Sequence, residues 1–177
     1  MKNKLTSAAT IFLLSLTLVA CGGGGRPSAE SVDNLMESLS LRLDMAKKAY
    51  DSYVIMLPTE GGVMSGSMAQ VGYDVMLKSL KEQQDYLAKT ETFESDAFAK
   101  EKSEALKKAT KDILDAYDSG AKNELADALK LAKQGKNMES PEMAEKLAAF
   151  EESLVPKYEA FAKVQAELAK EYNIILM

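Results

Sequence analysis

Apolar residues recur along this chain at the spacing of helices rather than strands. From Val32 onward they follow alternating steps of four and three residues, at Val32, Met36, Leu39, Leu43, Ala46, Tyr50, Tyr53 and Leu57. This 3.5-residue repeat predicts a long amphipathic helix that packs in a left-handed bundle, and Pro58 should end it. The same repeat also serves coiled coils between chains, so a homo-oligomer remains an alternative.

Two further helical segments follow a glycine-rich connection. The second is predicted over residues 68–89, with an inner side formed by Val71, Val75, Met76, Leu80 and Leu87. The third should have Thr92 or Ser95 as its N-cap and Asp96 in its first turn. Its apolar positions are Phe98, Leu106, Ala109, Ile113 and Tyr117.

The third segment contains a possible interruption at Ser119-Gly120. A glycine costs about 1 kcal/mol relative to alanine inside a helix, which a long packed helix can tolerate. We therefore expect continuity as far as Gln134, with Gly135 as the C-terminal stop. A real break at Ser119-Gly120 is the alternative.

The last helix should begin with Ser140 as N-cap and Pro141 at the first helical position. Pro156 lies inside this segment, so a kink or a restart is expected near Leu154. The apolar stripe is Met143, Leu147, Phe150, Leu154, Tyr158, Phe161, Leu168 and Tyr172. Residues 173–177 are apolar after Asn173 and should pack on the end of the bundle, the alternative being a recognition tail bound through its carboxylate.

These segments together predict an all-α fold. The simplest architecture is an up-down-up-down four-helix bundle over residues 30–177, with an αα-hairpin formed by the first two helices. No internal repeat and no second domain is evident.

Residues 1–20 have the organisation of a secretory signal peptide. Lys2 and Lys4 form a short basic region, and residues 11–20 form an apolar run that is too short for a membrane-spanning helix. The run ends at the one cysteine in the chain, Cys21, which is followed by four glycines.

The tetrapeptide Leu18-Val19-Ala20-Cys21 resembles the lipobox of bacterial lipoproteins. The resemblance covers the chain only as far as about Gly25, and it implies that Cys21 is acylated and becomes the mature N-terminus. Because Gly22 rather than Asp follows the cysteine, it also implies an outer-membrane location facing the periplasm, with the cell surface as an alternative. Residues 21–29 would then be a flexible tether. An ordinary signal peptide cleaved at a neighbouring site is the competing interpretation.

Charge makes several partners improbable. Removal of Lys2 and Lys4 leaves 20 basic residues against 27 acidic residues, a formal charge of −7. Anionic lipid should repel such a surface, and no basic patch predicts nucleic-acid binding. With no cysteine left to pair, the domain must depend on a packed core.

The residues that most catalytic and cofactor sites need are missing from the sequence. The chain has no histidine and no tryptophan. This excludes Ser-His-Asp and Cys-His catalysis, haem held by histidine and His-ligated zinc. We therefore expect a non-enzymatic protein with no cofactor other than the lipid on Cys21 and no metal site. A Cu(I) site of methionines is the weaker alternative.

The candidate partner contact is the connection over residues 59–67. It carries three glycines and presents Val63 and Met64, with Met68 close by, and long loops are often functional. The alternative is a loose hairpin connection with no binding role. The predicted function is that of a membrane-anchored envelope lipoprotein whose bundle binds another envelope protein or has a structural role. The alternative is a carrier or chaperone that binds an apolar ligand or client in an interhelical groove lined by Tyr50, Tyr53 and Tyr73.

Overall fold

Within residues 25–62 and 64–176, which this computed structural model describes, the chain forms five α-helices and no strand. They are α1 (Ala29–Ile55), α2 (Gly66–Lys89), α3 (Ala97–Lys122), α4 (Glu124–Lys133) and α5 (Pro141–Tyr172). The all-α prediction is confirmed for this part of the chain. The predicted signal peptide, Cys21, Val63 and Met177 lie outside the described residues.

The first helix agrees with the apolar repeat. Ser28 caps α1, since its side-chain oxygen accepts a hydrogen bond from the Ser31 amide at 3.1 Å. The helix ends at Ile55, three residues before Pro58. Every residue of the predicted stripe, from Val32 to Leu57, is buried. The predicted inner face of α1 is therefore confirmed.

The predicted inner face of α2 is partly wrong. Val71 and Val75 are 57% and 54% exposed. The buried line is instead Ala69, Gly72, Met76, Leu80, Gln83 and Leu87. Small residues lie on this line because α2 approaches α1 closely: a Cβ added to Gly72 would lie 2.9 Å from Met56 Sδ. The face that packs is thus the one with small side chains, while the larger valines face outward.

The third predicted helix is two helices. Asp96, and neither Thr92 nor Ser95, is the N-cap of α3, and its Oδ1 accepts from the Ala99 amide at 2.8 Å. The helix continues through Gly120 but ends at Lys122, so the predicted continuity to Gln134 is wrong at Asn123.

Asn123 has a local alternative to continuing the helix. Its side-chain Nδ2 donates to the Ser119 carbonyl at 2.9 Å, an acceptor that its own backbone amide also uses. The short α4 that follows packs on α5, α2 and α3. Gly135, with φ of 82°, confirms the predicted stop.

The last helix begins as expected. Pro141 follows Ser140 at the start of α5, although the Ser140 hydroxyl donates to the Asn137 carbonyl instead of capping the helix. The helix runs without interruption through Pro156, so no restart occurs near Leu154. Of the predicted stripe, Tyr158 is partly buried and the other residues are buried.

Only the first apolar residue of the C-terminal tail packs on the bundle. Asn173 ends α5 in the left-handed conformation, and Ile174 lies against the core with its amide bonded to the Ala169 carbonyl at 2.8 Å. Ile175 is 87% exposed and Leu176 is 45% exposed. The expectation that the whole tail packs is therefore wrong for Ile175 and Leu176.

An aromatic cluster joins α1, α3 and α5. Phe150 lies 4.9 Å from Tyr50 and 5.5 Å from Tyr117, measured between ring centroids. Gly120 makes room for the Phe150 ring, since a Cβ on this glycine would lie 2.2 Å from Phe150 Cδ2. The glycine that looks like a helix breaker in the sequence is a packing position.

We expect Gly120→Ala to lower the free energy of unfolding by about 1–3 kcal/mol, because the added methyl group overpacks the core and outweighs the better helix propensity of alanine. Urea denaturation followed by circular dichroism measures this change. Phe150→Leu removes the ring atoms in question, so the same glycine substitution should cost less in that background. An equal cost in both backgrounds would contradict the packing explanation.

Candidate functional site

Exposed apolar side chains concentrate on the first two helices. Of the ten large hydrophobic residues exposed in the described part of the chain, seven lie on α1 and α2. We refer to these seven as the hairpin face: Leu41, Met45, Ile55, Met68, Val71, Val75 and Tyr86. Clustered exposure of this kind is the usual mark of an interaction surface, whereas scattered apolar residues are not.

The helical spacing places these residues in two stripes. At 100° per residue, Leu41, Met45 and Ile55 fall within about 80° of one another on α1. The four α2 residues fall within about 60°. Both stripes point away from the buried line of their own helix, so each helix has an inner face for the core and an apolar strip outside.

Arg42 connects the two stripes. Its guanidinium carbon lies 4.6 Å from the centroid of the Tyr86 ring, and its Nη1 donates to Gln83 Oε1 at 3.3 Å. The first contact is a cation–π interaction between α1 and α2 on the outer side of the hairpin. The second provides a partner for the amide of Gln83, a side chain only 3% exposed. Arginine and tyrosine are also the residue types that most often dominate binding energy at interfaces.

Charged residues interrupt both apolar stripes. Lys78 and Glu82 lie on α2 between Val75 and Tyr86, and both are exposed. On α1, Lys48 lies between Met45 and Ile55 and pairs with Asp44 at 2.6 Å. Such a mixture of apolar and charged residues is compatible with a protein interface, because interfaces between separately stable proteins are as a whole about as apolar as the rest of the surface.

Of the predicted partner contact between α1 and α2, the structure describes Met64 and Met68. Val63 lies outside the described residues, and Met64 is half-buried. Met68 is 41% exposed and forms the first residue of the α2 stripe. The connection also contacts the rest of the molecule, since the Glu60 amide donates to Glu139 Oε2 at 3.1 Å.

The tyrosines of the carrier hypothesis belong to the core. The Tyr50 and Tyr53 side chains are 6% and 0% exposed, and Tyr73 is half-buried. Tyr50 donates to Glu151 Oε1 at 2.8 Å, and Tyr53 donates to the Leu125 carbonyl at 3.0 Å. Burial raises the pKa of both hydroxyls, and for Tyr50 the hydrogen bond to the Glu151 carboxylate raises the pKa further. These side chains fix helices to one another and do not line a groove.

A groove of about 630 Å³ does lie between α2 and α3. Its lining includes Glu104, Lys107, Lys108, Lys111 and Asp115. Lys111 and Asp115 pair with each other at 2.5 Å. Leu87 and Ala88 also line this groove, so an apolar ligand would find apolar contacts there but would also have to desolvate charged side chains.

The methionines of the predicted helical stripes are core residues. Met36, Met76 and Met143 are at most 1% exposed. Within the described ranges, no group of three or more acidic, cysteine or histidine side chains is arranged to hold a metal ion. Over the same ranges, no helix combines the length and apolar character needed to cross a bilayer.

Comparison with known proteins finds no match: no family model, no curated protein and no solved structure matches this chain.

Most of the hairpin face was missed from the sequence. Leu41 and Met45 are apolar but fall outside the α1 repeat, which is a signal that could have identified them. Val71 and Val75 carried no such signal, because valine in a helical pattern normally indicates a core position.

Adjacent residues on α2 should respond very differently to truncation. We expect Met76→Ala to lower the free energy of unfolding by about 2–5 kcal/mol, because Met76 is fully buried. Val75→Ala should change it by no more than about 0.5 kcal/mol, because Val75 is largely exposed. Chemical denaturation of both variants measures the two effects, and a large cost at Val75 would show that the hairpin face is covered in the free protein.

Proposed function

We propose that this chain is a lipid-anchored envelope protein without enzymatic activity, and that its helical bundle binds another envelope protein through the hairpin face. The observation that carries the proposal is the grouping of seven exposed apolar side chains on α1 and α2. A protein that exposes such a strip in water gains free energy when a partner covers it.

The anchor rests on the sequence of the N-terminal segment. A basic start, a short apolar run and Leu18-Val19-Ala20-Cys21 occur in the order of a lipoprotein signal. Two or more acyl chains on Cys21 would hold the protein stably at a membrane. The outer membrane, on its periplasmic side, is the location that Gly22 favours by resemblance.

We infer an up-down-up-down order for the four long helices, with α4 as a short addition. Contacts between chain ends support it: Arg26 before α1 pairs with Glu171 at the end of α5 at 2.6 Å, and Lys102 early in α3 pairs with Glu167 at 3.0 Å. The start of α1 and the start of α3 thus lie near the end of α5. A kink at Pro156 remains a prediction, since proline removes the amide that would bond to the Glu152 carbonyl.

The carrier hypothesis has no comparable observation in its favour. Tyr50 and Tyr53 are buried in the core, and the α2–α3 groove combines charged side chains with apolar ones. A homo-oligomer that uses the hairpin face is the other alternative, and a second copy of the chain would then be the partner.

Substitution of the cysteine tests the anchor. We expect Cys21→Ala to lose the acyl mass and then either to leave the membrane fraction as a released form or to accumulate as an uncleaved precursor, because the acyl chains supply the membrane affinity of the mature protein. Fractionation and intact mass measure the change. Unchanged membrane association of the variant, with no lipid mass on the wild-type protein, would refute the lipoprotein assignment.

A matched pair of charge substitutions tests the hairpin face. Crosslinking of the mature protein in its native envelope, read by mass spectrometry, should recover a partner whose yield falls on the order of ten-fold in Val71→Lys/Val75→Lys, because buried charges oppose binding. Val155→Lys on α5 is the control, since Val155 and Val75 are both 54% exposed.

The yields decide among the candidates. Equal recovery of the partner with both variants would place the contact elsewhere on the protein. Recovery of only a second copy of the chain, together with a dimer mass in sedimentation, would favour the homo-oligomer.

A further inference from the structure

The beginning of the described chain is held against the end of α5 by one arginine. Arg26 Nη2 donates to Glu171 Oε1 at 2.6 Å and to the Glu171 carbonyl at 3.2 Å. Its guanidinium carbon also lies 4.5 Å from the centroid of the Tyr172 ring. Arg26, just before α1, therefore lies beside the end of α5, where the C-terminal tail begins.

That tail exposes apolar side chains immediately afterwards. Ile174 packs on the core, but Ile175 is the most exposed large hydrophobic residue in the described part of the chain, at 87%, and Leu176 is 45% exposed. The backbone turn at Asn173, with φ of 53°, directs the chain out of the helix at this place.

The chain between Cys21 and Arg26 is too short to separate this end from a membrane. Its five residue steps reach at most about 18 Å when fully extended. The far end of the bundle is much more distant, because α1 alone is about 40 Å long.

We propose that Ile175 and Leu176 insert into the surface of the bilayer that holds the acyl chains of Cys21, as a second, apolar membrane contact. The proposal rests on the lipid anchor of the proposed function. The anchor keeps the tail at high effective concentration near the lipid, so two side chains that would not hold the protein by themselves contribute to its placement.

The contact is apolar in character and not electrostatic. The basic residues nearest this end are paired with acidic ones, Arg26 with Glu171 and Lys102 with both Glu167 and Glu101, so they are not free to bind anionic headgroups. Anionic headgroups are therefore not required. Insertion orients the bundle with the α1 start and α5 end towards the membrane, and the connection between α1 and α2 away from it.

The test uses the mature, acylated protein in vesicles of phosphatidylethanolamine and phosphatidylglycerol that contain a lipid with a photoactivatable acyl chain. After illumination and digestion with trypsin, the peptide that begins at Glu171 should carry on the order of ten times more label than the peptide that contains Ile55. Phosphatidylcholine vesicles should give the same ratio.

Two matched variants complete the experiment. Ile175→Gln/Leu176→Gln should abolish the labelling of the tail while circular dichroism shows an unchanged helical content, because both side chains are exposed and glutamine adds no trypsin site. Ile55→Gln, at a side chain that is 70% exposed near the far end of α1, should leave the labelling of the tail unchanged.

The outcomes separate this proposal from the anchor. An acylated Cys21 with an unlabelled tail peptide overturns the insertion and leaves the anchor standing. Labelling that occurs only with phosphatidylglycerol overturns the apolar contact in favour of attraction by charge. A wild-type protein without acyl mass overturns both.

Discussion

The close approach of α3 and α5 at Gly120 is the constraint on which the core depends. The Phe150 ring occupies the space that any side chain at position 120 would need, and from there it contacts the rings of Tyr50 and Tyr117. One absent methyl group thus allows three helices to meet around an aromatic cluster. Dense packing of this kind must supply the stability of the domain, since the chain has a single cysteine and cannot form an internal disulfide.

The hydroxyls of Tyr73 and Tyr53 donate hydrogen bonds to backbone carbonyls at the break between α3 and α4, so these carbonyls can be buried. A helix leaves its last carbonyls without helical partners, and in α3 these include Ala121. The Tyr73 hydroxyl donates to the Ala121 carbonyl at 2.5 Å, while Asn123 bonds to the Ser119 carbonyl. Tyr53 reaches Leu125 at the start of α4. The α1–α2 hairpin therefore holds the junction of the two helices in place.

The same packing divides the surface into two regions of different character. On the hairpin, the small residues Ala69 and Gly72 face the core and the valines face outward, which creates the apolar strip. At the end of α5, Arg26 brings the tether and the exposed tail together. The inferred orientation places the membrane at one end of the bundle and leaves the long sides of α1 and α2 open to a partner.

The amino-acid sequence by itself determined the helical class, the inner face of α1, the start of α5 and the stop at Gly135. These features follow from local rules, because apolar period, proline at a first turn and a glycine in the left-handed conformation act within a few residues. The resemblance of Leu18-Val19-Ala20-Cys21 to a lipobox likewise comes from the sequence alone, and the lipid anchor that it implies stays a prediction. The absence of histidine also limits the chemistry before any fold is known.

Only the tertiary structure decided the orientation of α2, the break at Asn123 and the candidate surfaces. Val71 and Val75 resemble core residues until the position of α1 shows that its backbone lies against Gly72. The sequence around Asn123 is compatible with a continuous helix. Only the structure shows that α4 begins there as a separate helix and packs against α5 and α2. The tail that carries Ile175 lies near Arg26 because Arg26 binds Glu171, which is 145 positions away in the chain. Such choices depend on which helix faces fit together, and that fit is a property of the assembled core and not of any local stretch of sequence.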